Sequence, residues 1–259
     1  MTPKREIKEK ILKNHQVDKG ELGIYDLRNR LNDLTGKQWT FSTRSVVTKL
    51  FSNNYPKDWL FKYPGILPLQ LINNLFQTFT KENSSIYDPY AFLGNSFFVK
   101  LKLGIKQNFF YSNLQPDKMK ILLEENNEEK FNRISSSNCD LLPDKSVDLL
   151  FSQAIVNFEQ SLSVLKEDFV RNEYKNIFNA FFSNTRVLKD EKYAILTISN
   201  WILKENSNNT ESYFDTTTEI ISKLEGSELV PKGEIIWSQP HKSISGLNDT
   251  RIWIFRKEN

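Results

Sequence analysis

The sequence predicts an α/β domain whose mostly parallel sheet closes in a C-terminal antiparallel hairpin, preceded by a helical, basic N-terminal extension. Three observations predict it. From Ser84 onward, short apolar runs alternate with longer segments of helical periodicity, the pattern of parallel strands joined by crossover helices. Near the end, GEIIWSQ and TRIWIFRK lie about ten residues apart around the turn-rich KSISGLND, as in a hairpin at a sheet edge. Before the alternation begins, Leu71, Ile72, Leu75, Phe76 and Phe79 recur at helical spacing and mark a helix over 69–80 with a buried face.

The elements follow in order. Ile7, Ile11 and Leu12, set among lysines, predict a short amphipathic helix over 4–15 with a basic face, and Leu22, Leu27, Leu31 and Leu34 predict a second over 21–34. Thr35 and Gly36 form a turn before a Ser/Thr-rich stretch without clear periodicity, and a proline-containing passage over 55–68 leads into the 69–80 helix. The strands are expected at SSIYD, NFFYSN, FNRIS, VDLLFS and KYAILTIS, with helices or connections over 94–104, 116–126 and 167–188. An Asn/Ser-rich loop is expected over 205–212. The boundary is placed so that residues 1–60 form the basic extension and residues 61–259 the α/β domain.

Composition narrows the function. A chain of 259 residues with 39% hydrophobic content builds one α/β domain with an extension rather than two full domains. No apolar run approaches the roughly 18 residues of a membrane span, and MTPKREIKEKILKN carries charge where a secretory leader needs an apolar stretch. A soluble, cytoplasmic protein without membrane contact is expected. One cysteine, Cys139, and two histidines, His15 and His241, supply too few nitrogen and sulfur ligands for a zinc or haem centre, so no metal is expected. The net charge of +3 is mild, yet lysines and arginines concentrate in the first 60 residues, where they form either a solvated helix face or a nucleic-acid footprint. Trp39, Trp59 and Trp201 are read the same two ways, as packing anchors or base-stacking rings.

Several segments, in order, resemble the S-adenosylmethionine-dependent DNA methyltransferases that act on the exocyclic amino groups of adenine or cytosine. LNDLTGKQWTFSTRSV resembles the segment before their core, and YPGILPLQLINNLFQTFTKENSSIYDPYAFLGNSF resembles the helix and first strand-turn of their cofactor site. LLPDKSVDLLFSQAIVNFEQS resembles the strand and loop that carry their catalytic motif, and NTRVLKDEKYAILTIS resembles their fifth strand unit. The resemblance spans roughly residues 30–257 and implies a Rossmann-like methyltransferase fold.

The same comparison exposes departures. The family's Asp-Pro-Phe-x-Gly-x-Gly reads here Asp88, Pro89, Tyr90, Ala91, Phe92, Leu93, Gly94, with Phe92 where a glycine lets the backbone approach the cofactor. At the end of the next strand Asn113 replaces the acid that accepts bonds from both ribose hydroxyls, losing charge-assisted bonds of about 1.5–3 kcal/mol each. The catalytic Ser/Asp/Asn-Pro-Pro-Tyr loop reads Gln153, Ala154, Ile155, Val156. An exocyclic amine, its lone pair delocalised into the ring, needs a side-chain oxygen and a proline carbonyl to accept its protons, and an aromatic ring to stack on the flipped base. Gln153 keeps an oxygen on a longer arm, Ala154 and Ile155 lack proline's rigidity, and Val156 offers no platform. In a purely structural reading, Asp88, Asp148 and Asn113 are strand-end caps.

The resemblance therefore implies a degenerate member without a cofactor, acting as a DNA-binding or partner-binding subunit in a modification, restriction or defence system, its partner an active methyltransferase or nuclease. The alternative is an active DNA or RNA amino-methyltransferase that uses S-adenosylmethionine, with Asp88, Tyr90, Phe92, Gly94 and Asn113 at the cofactor and Gln153 as acceptor.

Overall fold

The computed structural model describes residues 12–42, 46–47, 65–112, 132–133, 142–155, 167–204, 211–238 and 247–258. The N-terminal part holds strands β1 (Gln16–Asp18) and β2 (Ile24–Asp26), helix α1 (Gly36–Ser42) and strand β3 (Val46–Val47). Next come α2 (Leu69–Phe79), β4 (Ser85–Asp88), α3 (Asn95–Leu103), β5 (Asn108–Tyr111), β6 (Asn132–Arg133) and β7 (Val147–Gln153). The remainder is α4 (Glu167–Ser183), β8 (Leu188–Lys204), β9 (Glu211–Phe214), α5 (Thr217–Leu224), β10 (Leu229–Trp237) and β11 (Leu247–Lys257).

Strand order decides the architecture. The main sheet runs β3-β10-β11-β8-β7-β4-β5-β6. The ladders β6-β5-β4-β7-β8 are all parallel, and β11 lies antiparallel between β8 and β10. This is the Rossmann-like methyltransferase arrangement, with the expected terminal hairpin inserted as an antiparallel strand. The order reverses between β4 and β7, so the crevice where doubly wound sheets bind ligands lies at the carboxyl ends of those two strands.

Strand alternation divides the core in two. Leu149, Phe151, Ile195, Ile252 and Ile254 face α2 and α3, and Leu150, Ala194, Leu196, Ile198 and Phe255 face α4 and α5. Phe76 of α2 anchors the first layer, its ring edge-on to Phe151 at 5.0 Å and tilted against Phe109 at 5.5 Å. Tyr174, Ile177, Phe178 and Phe181 of α4, all buried, anchor the second. Among the described residues no helix is long and apolar enough to cross a membrane.

The strands expected from SSIYD, NFFYSN, FNRIS, VDLLFS, KYAILTIS and the terminal pair are β4, β5, β6, β7, β8, β10 and β11. The helical N-terminal extension is corrected. Residues 21–34 form a hairpin and turns, because Asp26, Asn29 and Asn32 each turn a side-chain oxygen onto a backbone N–H two residues ahead, at 3.0, 2.9 and 3.0 Å. Such local bonds compete with the helical ladder. Gly20 and Gly23, at φ of 65° and 96°, complete the break. Residues 12–15 are also non-helical, and the rest of the expected first helix lies outside the described residues, as does the 116–126 connection. The extension is joined to the domain: β3 pairs in parallel with Ile236 and Trp237, and Asn32 Nδ2 donates to the Thr78 carbonyl at the end of α2 at 2.6 Å.

Candidate functional site

Asp88 ends β4 at the reversal point and is 2% exposed. Its Oδ2 accepts from Ser96 Oγ in the first turn of α3 at 2.8 Å, and its Oδ1 from Ser152 Oγ on β7 at 3.1 Å and the Tyr90 N–H at 3.2 Å. Burial raises the carboxyl to about 7, against the opposing pull of these three bonds.

The loop that follows is folded tightly onto β5. The Ala91 N–H donates to the Ser112 carbonyl at 3.0 Å, and the Ser112 N–H to the Asp88 carbonyl at 3.0 Å. Phe92, at the family's glycine position, has φ of 36°, in the left-handed region that glycine favours. It is 5% exposed and packs in the first core layer, its ring nearly parallel to Tyr90 with centroids 6.0 Å apart. Burial, and secondarily the Glu173 carboxylate on α4, push the Tyr90 phenol up to about 12. Gly94, at φ of 74°, supplies the turn into α3.

Gln153 ends β7 at 3% exposure, and both ends of its amide are occupied. Its Oε1 accepts from Asn95 Nδ2 at 2.5 Å, and its Nε2 donates to the Gly65 carbonyl at 3.0 Å. The oxygen that Gln153 keeps on its longer arm is taken by Asn95, and Gly65 holds the nitrogen. Gly65, at φ of 86°, is pressed against β8 so closely that an added Cβ would lie 2.4 Å from Ser199 Oγ. Ser199 Oγ bonds Thr250 Oγ1 at 2.9 Å. Beside this cluster, Asn95 Oδ1 and Thr197 Oγ1 are buried polar atoms without a hydrogen-bond partner among the described residues.

The structure thus brings Asp88, Tyr90, Phe92, Gly94 and Gln153 to one end of the sheet. Ala154 and Ile155, 3% and 2% exposed, turn into the two core layers instead of forming an exposed loop. Asn113, Val156, Cys139, His241 and Trp59 lie outside the described residues. Asp148 sits near the other end of β7, taking the Ser85 N–H at 3.0 Å and Lys189 at 2.8 Å, so it serves as a structural anchor. Trp39 is 37% exposed on α1. Among the described residues no group of three or more His, Cys, Asp and Glu side chains gathers as a metal site.

Sequence reasoning missed Asn95, Ser96 and Gly65. Asn95 and Ser96 directly follow the glycine that it did identify, and Gly65 follows Pro64 in the sequence.

No protein-family model matches the chain, and no curated protein matches its sequence. Solved methyltransferases are similar to it in shape. One is the 1,6-didemethyltoxoflavin-N1-methyltransferase of Burkholderia thailandensis, solved with 1,6-didemethyltoxoflavin and S-adenosylhomocysteine. It is 13% identical, with 78% of this chain and 82% of that chain covered and a TM-score of 0.47. A SAM-dependent methyltransferase of Aquifex aeolicus is 15% identical over 78% of this chain and 94% of that one, with a TM-score of 0.44. Another, from Methanosarcina mazei, is 14% identical over 68% and 93%, with a TM-score of 0.43. Likeness at this level describes shape alone, and the strand order carries the fold.

A concavity lies at the end of the sheet opposite Asp88. A cleft of about 320 Å³ opens between Asp33 and Gln38 of the N-terminal part, Glu82 before β4, and Lys106 and Gln107 before β5. It is separate from the strand tips where Asp88 and Gln153 stand.

Proposed function

We propose that this chain is a methyltransferase-fold protein that has given up methyl transfer and acts as a DNA-binding or partner-binding subunit of a modification, restriction or defence system. The observation that carries the reading is the doubly bonded Gln153 amide. An amine acceptor must offer an oxygen to the target nitrogen. Here that oxygen already accepts from the Asn95 amide, itself an NH₂ group, so the chain supplies an internal counterpart of the amine. Releasing Gln153 would also leave the Gly65 carbonyl without its donor, at a cost of about 1–3 kcal/mol.

The donor side supports the same reading. At the glycine position of the cofactor loop a phenylalanine takes up the left-handed backbone, and its ring belongs to the core. A glycine at this position would leave the backbone bare for S-adenosylmethionine, whereas Phe92 adds a Cβ there even though its ring turns into the core, which supports a poorer fit of the cofactor in its usual pose.

Calorimetry with S-adenosylmethionine and S-adenosylhomocysteine tests the reading. No heat of binding is expected for either; micromolar or tighter binding would overturn it in favour of an active amino-methyltransferase using Gln153. DNA association is expected to weaken steeply with salt, as phosphate contacts by the N-terminal lysines require. Absence of any salt-dependent DNA binding would remove the DNA role and leave the partner role, with an active methyltransferase or a nuclease as the partner.

A further inference from the structure

We propose that the cleft at the amino ends of β4 and β5 binds a small zwitterion, a free α-amino acid by its chemistry, with its ammonium group over Gln107 and its carboxylate at the rim lysines. The site is independent of whether the Asp88 and Gln153 tips hold a methyl donor.

Three observations meet there. The first is an acceptor without a donor. Gln107 lines the cleft and is 5% exposed. Its Nε2 donates to Thr80 Oγ1 at 3.2 Å, while its Oε1 is buried with no hydrogen-bond partner among the described residues. Thr80 fixes that orientation: its hydroxyl proton goes to the Phe76 carbonyl at 2.6 Å, so its oxygen is left to accept. An unmet buried acceptor costs about 1–3 kcal/mol, which a ligand N–H would offset.

The second observation is the field at the floor. Helices α2 and α3 both end at the cleft, which is lined by Gln77 and Thr80 from one and by Leu103 and Gly104 from the other. The negative ends of two helix dipoles thus converge where Asp33 and Glu82 add carboxylates, and this half of the site favours a cation. Lys100 donates to the Gln107 carbonyl at 2.8 Å and offsets part of that field, but it does not satisfy Oε1.

The third observation is the order of charges at the rim. Lys19 Nζ donates to the Asp33 carbonyl at 3.0 Å, Asp33 Oδ2 accepts the Glu82 N–H at 2.9 Å, and Lys106 Nζ meets Glu82 Oε2 at 2.9 Å. Positive groups therefore flank two negative ones. The Lys106–Glu82 side chains are 65% and 60% exposed, so water competes for their bond and it yields to a ligand at little cost. A simple amine would meet two lysines here, and a simple carboxylate two acids. A zwitterion sets each end against its complement. The volume of about 320 Å³ is that of a small-ligand site, and Leu34, Leu103 and Ile105 offer apolar wall to a side chain.

Calorimetry of the full chain with the standard L-amino acids, one at a time, tests the proposal. At least one is expected to bind at millimolar affinity or tighter, while ethylamine and acetate, each carrying half of the zwitterion, do not bind at the same concentration. Gln77 is exposed on α2, so Gln77→Trp fills the cleft from its surface and is expected to abolish binding. Gln107→Leu is expected to weaken binding by about tenfold or more, as loss of a hydrogen bond to a charged group does. Should that variant misfold, the Gln107 side-chain amide resonances of the unaltered protein decide: movement on titration supports the site, and stationary resonances overturn it. Absence of binding by every amino acid, equal binding by ethylamine or acetate, or binding unchanged in Gln77→Trp also overturns it. S-adenosylmethionine carries the same zwitterion, so Gln77→Trp separates any binding in the cleft from binding at the strand tips, and the two proposals fail separately.

Discussion

At the residue scale, Phe92 sets two energies against each other. Its buried ring contributes about 3–5 kcal/mol, as judged from truncation of core aromatics, while its positive φ costs roughly 1–3 kcal/mol. Phe92→Gly relieves the strain but empties the core, and urea denaturation is expected to show a net loss of about 2 kcal/mol. Gly65 is the reverse case. Gly65→Ala adds a Cβ 2.4 Å from Ser199 Oγ at a φ of 86°, and should cost about 2–3 kcal/mol. Ser199→Ala in the same chain should recover part of that loss. Asp88 makes stability depend on pH with a definite sign. Its folded-state value lies above the unfolded one, so the folded chain holds a proton that the unfolded chain has released between about pH 4 and pH 7. Its contribution is full below pH 4, declines by up to roughly 4 kcal/mol as pH rises to 7, and is flat beyond. Asp88→Asn removes that decline. The variant should match the unaltered protein near pH 4 and exceed it in stability at pH 8 in denaturation midpoints.

At the scale of elements, the chain's own polar side chains decide where periodicity holds. The helix over 69–80 was legible because Leu71, Ile72, Leu75 and Phe76 share a face, and its polar side chains bond along the helix, Asn74 Oδ1 accepting from Gln70 and Thr78 Oγ1 donating to the Asn74 carbonyl. Residues 21–34 carry an equally regular set of leucines, yet Leu22 and Leu27 are 50% and 57% exposed, since Asp26, Asn29 and Asn32 bend the chain first. Asn32 then carries a tertiary load, bonding Thr78 from a 1% exposed position. Asn32→Ala should cost about 1–3 kcal/mol and loosen the amides at the end of α2 in hydrogen exchange. The hairpin partner β9 had no sequence signature because its four residues follow an Asn/Ser-rich stretch. Its place is set by contacts across the fold: Phe214 packs on Tyr174 at 5.9 Å and under Arg171 at 4.8 Å, and Thr216 donates to Asn200 Oδ1 through both N–H and Oγ1.

At the scale of the whole molecule, the parallel strands and the terminal antiparallel pair were legible because each strand announces itself as a short apolar run and the connections can close only in a few ways. The state of the site was not. Gln153 meets Asn95 from 58 residues away and Gly65 from 88 residues away, and no local pattern encodes such a meeting. The sequence marked which positions depart from the pattern it resembles; the fold shows that the Gln153 amide is bonded at both ends. One topological detail bears on any attempt to build an acceptor pocket after Gln153. Thr197 of β8 pairs with Gln153 on one side and Ile252 on the other, whereas Trp201, four residues on, pairs with Phe214 and Leu247. β9 therefore continues along the same edge of β8 that β7 leaves at Gln153. Grafting a proline-rich, aromatic loop after Gln153 would thrust it into the path of β9, so a designer would have to excise or reroute that strand before such an acceptor pocket could form.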